Sequence, residues 1–266
     1  MPSDLWRMLA APAQAASMIA AAFFTNSSHA AEVRVLSAAA MQSVFKEIKA
    51  EFERTSGHKL IIHYGTIGAV NQWLLGGEEA DFVIGSDQSM PALVKQGKIE
   101  SGSLITLCKT GIGVVVASDT AVSVGTAEEF KRALIEAKTI VYADPARGGA
   151  AGIHVAKVIE ELGLTDQVKP KLRLGAGGDI TEVTLSLGTG AVGITQISEI
   201  ADKPGAKLAG PLSDDLQNYT VFMAGLPPNL PPSEGTSALI KFLRSPTAIA
   251  VLKAKGMVYE SPGGSE

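Results

Sequence analysis

Short apolar runs alternate with stretches whose apolar residues recur every three or four positions, from Val33 almost to the end of the chain. The first run, "VRVLS", predicts a strand, and Met41, Val44, Phe45, Ile48 and Phe52 mark one face of a helix that stops at Gly57. "KLIIHY" predicts a strand, "GAVNQWLL" a short helix, "DFVIG" a strand and "MPALVKQG" a helix. After the strands "SLITLCK" and "GVVVAS", Thr126 and Glu129 have capping-box spacing for a helix through Ile135.

The second half repeats this grammar. "TIVYADP", "KLRLG", "AVGIT" and "KLAGP" predict strands, separated by helices in "GGAAGIHVAKVIEELG", "DITEVTLSLG" and "SEIAD". "QNYTVFMAG" predicts a further strand, two helices follow the loop "LPPNLPPS", and the tail "SPGGSE" is expected to be disordered. Strands alternating with helices imply an α/β fold, with mostly parallel sheets covered on both faces. No low-complexity linker divides the chain, so the pattern fits two lobes joined by crossover strands near Val114–Ala117 and Asn218–Ala224. The expected division is residues 1–30 as an export signal, 31–115 plus 219–266 as one lobe, and 116–218 as the other.

Composition narrows the function. The chain has 266 residues, 46% hydrophobic and 19% charged, which describes a globular protein long enough for two lobes. A net charge of −4 argues against a nucleic-acid binder. Arg7 followed by the apolar run Met8–Phe24, with Ser28 and Ala30 before Ala31, fits a signal peptide cleaved after Ala30. A soluble, monomeric, periplasmic protein is therefore expected. Cys108 stands alone in an apolar setting and reads as a buried small hydrophobe.

Candidate chemistry concentrates where strands meet helices. Small-residue loops recur as "SAAAMQ" (37–42), "GTIGAV" (65–70), "DPARGGAA" (144–151) and "GAGGDI" (175–180). Helix N-termini expose unpaired N–H groups, so several of them converging on one cleft would hold an anion. Any one loop equally fits close helix–strand packing. The candidate ligand contacts are Ala39, Ala40, Met41, Thr66, Ile67, Gly68, Arg147, Gly149, Ala150, Gly178, Thr195 and Gln196. Among them Arg147 carries a full cation suited to a carboxylate. No G-x-S-x-G elbow, Walker loop or H-E-x-x-H helix occurs, and His58, His63 and His154 lack metal-ligand spacing. A binding protein without cofactor or metal is expected rather than an enzyme.

The stretches "VRVLSAAAMQSVFKEIKAEFERTSG", "ADFVIGSDQSMPALVKQGKI", "DPARGGAAGIHVAKVIEELGL" and "GAVGITQISEI" resemble the periplasmic molybdate-binding proteins, solute-binding components of ABC importers. The resemblance covers Glu32 to about Tyr259. It implies a two-lobe periplasmic binding fold, a small anionic solute clamped in the cleft, and a membrane permease as partner. Three positions depart from the family pattern. Ala40 stands where a serine is usual, Thr66-Ile67-Gly68 where consecutive serines are, and Gln196 where a tyrosine is. Lost hydroxyl donors shift the expected ligand from molybdate or tungstate toward an organic carboxylate. Alternatives on the same scaffold are a molybdate or tungstate binder, a sensor module or a periplasmic hydrolase.

Overall fold

The computed structural model describes residues 31–201, 203–228 and 231–259. The expected signal peptide and the "SPGGSE" tail lie outside these residues. In chain order the elements begin β1 (Glu32–Ala38), α1 (Gln42–Ser56), β2 (Lys59–Gly65), α2 (Ile67–Leu75), β3 (Phe82–Ser86), α3 (Met90–Lys95) and β4 (Ile105–Thr110). Next come β5 (Ile112–Ala117), α4 (Ala127–Glu136), β6 (Thr139–Ala143), α5 (Ala150–Glu161), α6 (Thr165–Val168), β7 (Leu172–Gly175), α7 (Ile180–Ser186), β8 (Ala191–Gln196) and α8 (Ile197–Ile200). The chain closes with β9 (Ala206–Pro211), β10 (Thr220–Gly225), α9 (Glu234–Leu243), α10 (Pro246–Ala254) and β11 (Val258–Tyr259).

Two sheets result, ordered β11-β4-β10-β3-β1-β2 and β7-β6-β8-β5-β9. Each is mixed rather than mostly parallel. β1 runs parallel to β2 and β3, and β6 parallel to β7 and β8, whereas β4, β5 and β10 pair antiparallel with their neighbours. The antiparallel strands are the ones that carry the chain from one sheet to the other. β5 hydrogen-bonds wholly within the second sheet, so the first change of sheet falls at Gly111 rather than at Val114–Ala117. The second lies between Pro211 and Thr220. Gln217 ties the two crossings together: its Oε1 accepts from Ile112 N–H at 2.7 Å, and its Nε2 donates to the carbonyls of Ile112 (3.0 Å) and Leu212 (3.2 Å).

Each sheet buries its own core. Val35, Phe45, Ile48, Phe52, Phe82 and Phe222 are at most 1% exposed in the first, as are Val114, Phe130, Ile140, Val155 and Ile194 in the second. Cys108 is fully buried, with its sulfur 3.7 Å from Met41 Sδ and 3.6 Å from Met257 Sδ. Thr126 caps α4 as its spacing predicts, accepting from Glu129 N–H, but Glu129 returns the bond to Gly125 N–H instead of to the cap residue. Among the described residues no helix is long and apolar enough to cross a membrane.

Candidate ligand site between the two sheets

The carboxyl ends of β1, β2, β6 and β8 point toward one another across the gap between the sheets, where open α/β folds place their ligands. A chamber of about 30 Å³ lies there, walled on the first-sheet side by Ala38–Ala40, Gly65, Thr66, Ile67 and Phe222. The second-sheet side supplies Ala143, Gly149–Ala151, Gly177, Gly178, Thr195, Gln196 and Glu199. By the measure on which one water needs about 10–15 Å³, the chamber accepts one small anionic head. It adjoins a larger groove of about 580 Å³ through Ala39, Gly178 and Glu199, which line both.

The two walls touch through glycines. Gly68 N–H donates to Gly148 O at 3.1 Å, and a Cβ on Gly68 would stand 2.7 Å from Arg147 O. Gly178, at φ +83°, leaves no more than 2.9 Å between a Cβ of its own and that of Ala39. This is the closed arrangement of a cleft, and only small residues allow it.

Nine of the sequence-predicted contacts line the chamber: Ala39, Ala40, Thr66, Ile67, Gly149, Ala150, Gly178, Thr195 and Gln196. Three do not. Met41 is 1% exposed and packs into the first core as part of the α1 face. Gly68 forms the contact between the walls. Arg147 is the main correction: its side chain is exposed and lies outside the chamber lining. It ends a one-turn 3-10 segment, Pro145–Arg147, capped by Asp144 Oδ1 accepting from Ala146 N–H at 3.0 Å. What this residue gives the cleft is its carbonyl, which accepts the Thr66 hydroxyl at 2.6 Å.

Both chamber hydroxyls and one of the two Gln196 amide hydrogens are already committed. Thr66 donates to Arg147 O and also caps α2, accepting from Ala69 N–H at 3.0 Å. The Thr195 hydroxyl donates to the Glu199 carboxylate, and Gln196 Nε2 donates to Thr220 Oγ1 at 2.9 Å. The first N–H groups of a helix have no partner within it, and at α5 Ala150 and Ala151 both line the chamber. The free hydrogen-bonding capacity is therefore largely backbone, at a positive helix end.

Sequence reasoning missed Glu199. Burial between the sheets pushes its carboxyl up to about 7; Thr195 and Lys203 oppose this, and Glu182 and Asp179 reinforce it. The groove beyond it is lined by Lys46, Lys203 and Lys255, of which Lys203 pairs with Glu182 and Lys255 with Glu47. The hydroxyls of Ser43 and Ser198, on the same groove, are buried without a hydrogen-bond partner.

The described histidines take structural positions. His58 Nδ1 accepts from Ala31 N–H at 3.2 Å, His154 Nε2 lies 2.7 Å from Leu216 O, and His63 stacks on Trp73 at 3.7 Å between centroids.

Two mixed α/β sheets, two antiparallel crossings and a closed small-residue chamber between them define a two-lobe solute-binding protein. Residues 33–258 match the family described as bacterial extracellular solute-binding protein, and the chain belongs to it. Relatives by sequence include an aconitate isomerase of Pseudomonas sp., 23% identical over 84% of this chain and 86% of that protein. Another is the molybdate-binding protein ModA of Azotobacter vinelandii, 25% identical over 90% of this chain and 94% of its own. The solved periplasmic molybdate-binding protein of A. vinelandii superposes with a TM-score of 0.70 at 18% identity, covering 86% of this chain and 99% of that one. PEB3 of Campylobacter jejuni, solved with L-phospholactate, superposes with a TM-score of 0.65 at 16% identity, covering 86% and 100%.

Proposed function

We propose that this protein is the periplasmic solute-binding component of an ABC importer and captures a small organic carboxylate in the chamber. The two sheets act as lobes that close about the crossings at Gly111 and Leu212–Tyr219, and a membrane permease recognises the closed form. Ala39, Ala40, Thr66, Ile67, Gly149, Ala150, Gly178, Thr195 and Gln196 are the proposed contacts.

One observation carries the choice of ligand: both chamber hydroxyls, Thr66 and Thr195, donate to the protein itself. A tetrahedral dianion must have four oxygens satisfied, and each unmet hydrogen bond to a buried charge costs about 1–3 kcal/mol or more. A carboxylate head has two oxygens, which the α5 N–H groups and the remaining Gln196 N–H can serve. The rest of the molecule extends past Ala39 and Gly178 into the adjoining groove. The relative named for aconitate, a tricarboxylate, agrees with this reading; the relatives named for molybdate do not.

Calorimetry of the mature protein against di- and tricarboxylates, molybdate, tungstate and sulfate tests it. The expected result is saturable binding of a carboxylate and no measurable molybdate binding. Micromolar or tighter molybdate binding overturns the proposal.

The same relative favours a second reading, in which the site turns its carboxylate over. Proton NMR of cis-aconitate incubated with the protein distinguishes the two: a binding protein leaves the spectrum unchanged, and an isomerase produces the trans signals.

A further inference from the structure

Glu199 is the titratable side chain among those that line the chamber, and it also lines the groove. An anion site with a carboxylate in its wall needs a reason for it, because an ionised pair of carboxylates at close range repels. The geometry supplies one. Thr195, four residues earlier at the end of β8, donates its hydroxyl to Oε2, and among the described residues no hydrogen bond reaches Oε1.

The charges around it come from every element packed against the wall. Glu182 on α7 and Asp179 just before it disfavour ionisation, and Lys203 after α8 favours it, though Lys203 is itself paired with Glu182. Across the groove stand Lys46 and Glu47 on α1 and Lys255 after α10, the last two joined to each other. Burial outweighs these and pushes the carboxyl up to about 7 before any ligand arrives. An arriving carboxylate shifts the balance further, since two carboxyl groups sharing one site retain one proton between them.

We infer that Glu199 meets the ligand as a carboxylic acid, its O–H donating to the ligand carboxylate, so that capture at neutral pH takes up a proton from solvent. The ligand stays anionic, the Glu199 carboxylate becomes neutral by gaining an O–H from a proton that solvent or buffer gives up, and no covalent bond to the ligand forms. The inference rests on the carboxylate reading above. It makes capture pH-dependent: the acid is a donor to the acceptor-only head, and once ionised it repels that head.

The test uses propane-1,2,3-tricarboxylate, which has no double bond to isomerise. Calorimetry at pH 7.5 in buffers of low and high ionisation enthalpy counts protons, and repetition from pH 6 to 8.5 gives the affinity profile. The wild type is expected to take up close to one proton at the alkaline end, with affinity falling about tenfold per pH unit there and flattening below pH 6. Glu199→Gln, which keeps an N–H donor, is expected to bind with a flat profile and no uptake. A flat wild-type profile without uptake, or an unchanged slope in Glu199→Gln, overturns the inference.

A ligand-free arm separates its failure from that of the carboxylate reading. The Glu199 side-chain carbon, assigned in ¹³C NMR by its absence from Glu199→Gln, should titrate near 7. Titration in the ordinary carboxylate range overturns the inference whatever binds. If the tricarboxylate fails to bind at any pH, the carboxylate reading falls, and titration near 7 still supports the acid form.

Discussion

The two walls of the chamber are built from the same material and do different work. The first-sheet wall has one polar side chain, Thr66, among alanines, Gly65, Ile67 and Phe222, and no titratable group. The second-sheet wall repeats the alanines and glycines but adds Thr195, Gln196 and Glu199 and the N-terminus of α5, a longer helix than the α2 that starts on the first wall. The first wall shapes and seals; the second holds charge. A cleft of this kind holds its ligand fully only when the two walls meet.

Breaking the seal should have the largest effect. Gly68→Val puts side-chain atoms where Arg147 O and the Gly148 Cα now stand, 2.7 and 2.8 Å from a Cβ. Gly68 lies on the half-exposed start of α2. Ligand affinity is expected to fall on the order of 100-fold, or about 2.7 kcal/mol, with the ligand-free melting temperature little changed. A variant that binds as well as wild type in calorimetry would show that the walls need not meet.

Altering the charge on the second wall comes next. Because Glu199 binds its proton more tightly folded than unfolded, ligand-free stability should fall as pH rises from the ordinary carboxylate range to about 7, then level off. Glu199→Gln removes that penalty. In denaturant titrations it should match wild type near pH 4.5 and exceed it by about 3 kcal/mol at pH 8. Equal stability at both pH values would place the Glu199 carboxyl in solvent.

Making the first wall polar gives a smaller change. Ala40→Ser adds to the chamber lining the hydroxyl that the resemblance to molybdate-binding proteins leads one to expect there. Molybdate binding, not measurable in the wild type, should become detectable by calorimetry, since one hydrogen bond to a charged group is worth about 1.5–3 kcal/mol, or roughly 10–150-fold. No gain would mean that the hydroxyl cannot reach the anion.

Arg147→Ala should change least. The side chain is exposed and the contact it makes across the cleft is through its carbonyl, so affinity should stay within about twofold. A loss beyond tenfold would return the guanidinium to the site.

These outcomes also measure how far the residues alone foretell the site. The two-lobe α/β fold, the small-residue junctions and their convergence are legible, because alternating apolar periods and glycine-rich strand ends are local signals. Met41 could be assigned to the core on the same signal, since it continues the face of Val44, Phe45 and Ile48. Arg147 was misjudged because charge is visible in a sequence and side-chain direction is not; the Asp144-capped turn sets that direction. Glu199 was missed for the converse reason. In "ITQISEI" it reads as an ordinary helix-surface acid, and only the packing of α8 against α1 and α7 encloses it. The spacing of Thr195 and Glu199, hydroxyl and carboxylate one helical turn apart, was the available hint. The change of sheet at Gly111 was blurred by the apolar run that follows it, which looks alike on either side of a crossing.

Native mass spectrometry of the mature protein, freshly purified without exchange of its solute, tests the ligand claim most directly. The expected spectrum shows an added mass of a di- or tricarboxylic acid that disappears on denaturation. A retained mass of molybdate or tungstate, with its isotope envelope, would contradict it.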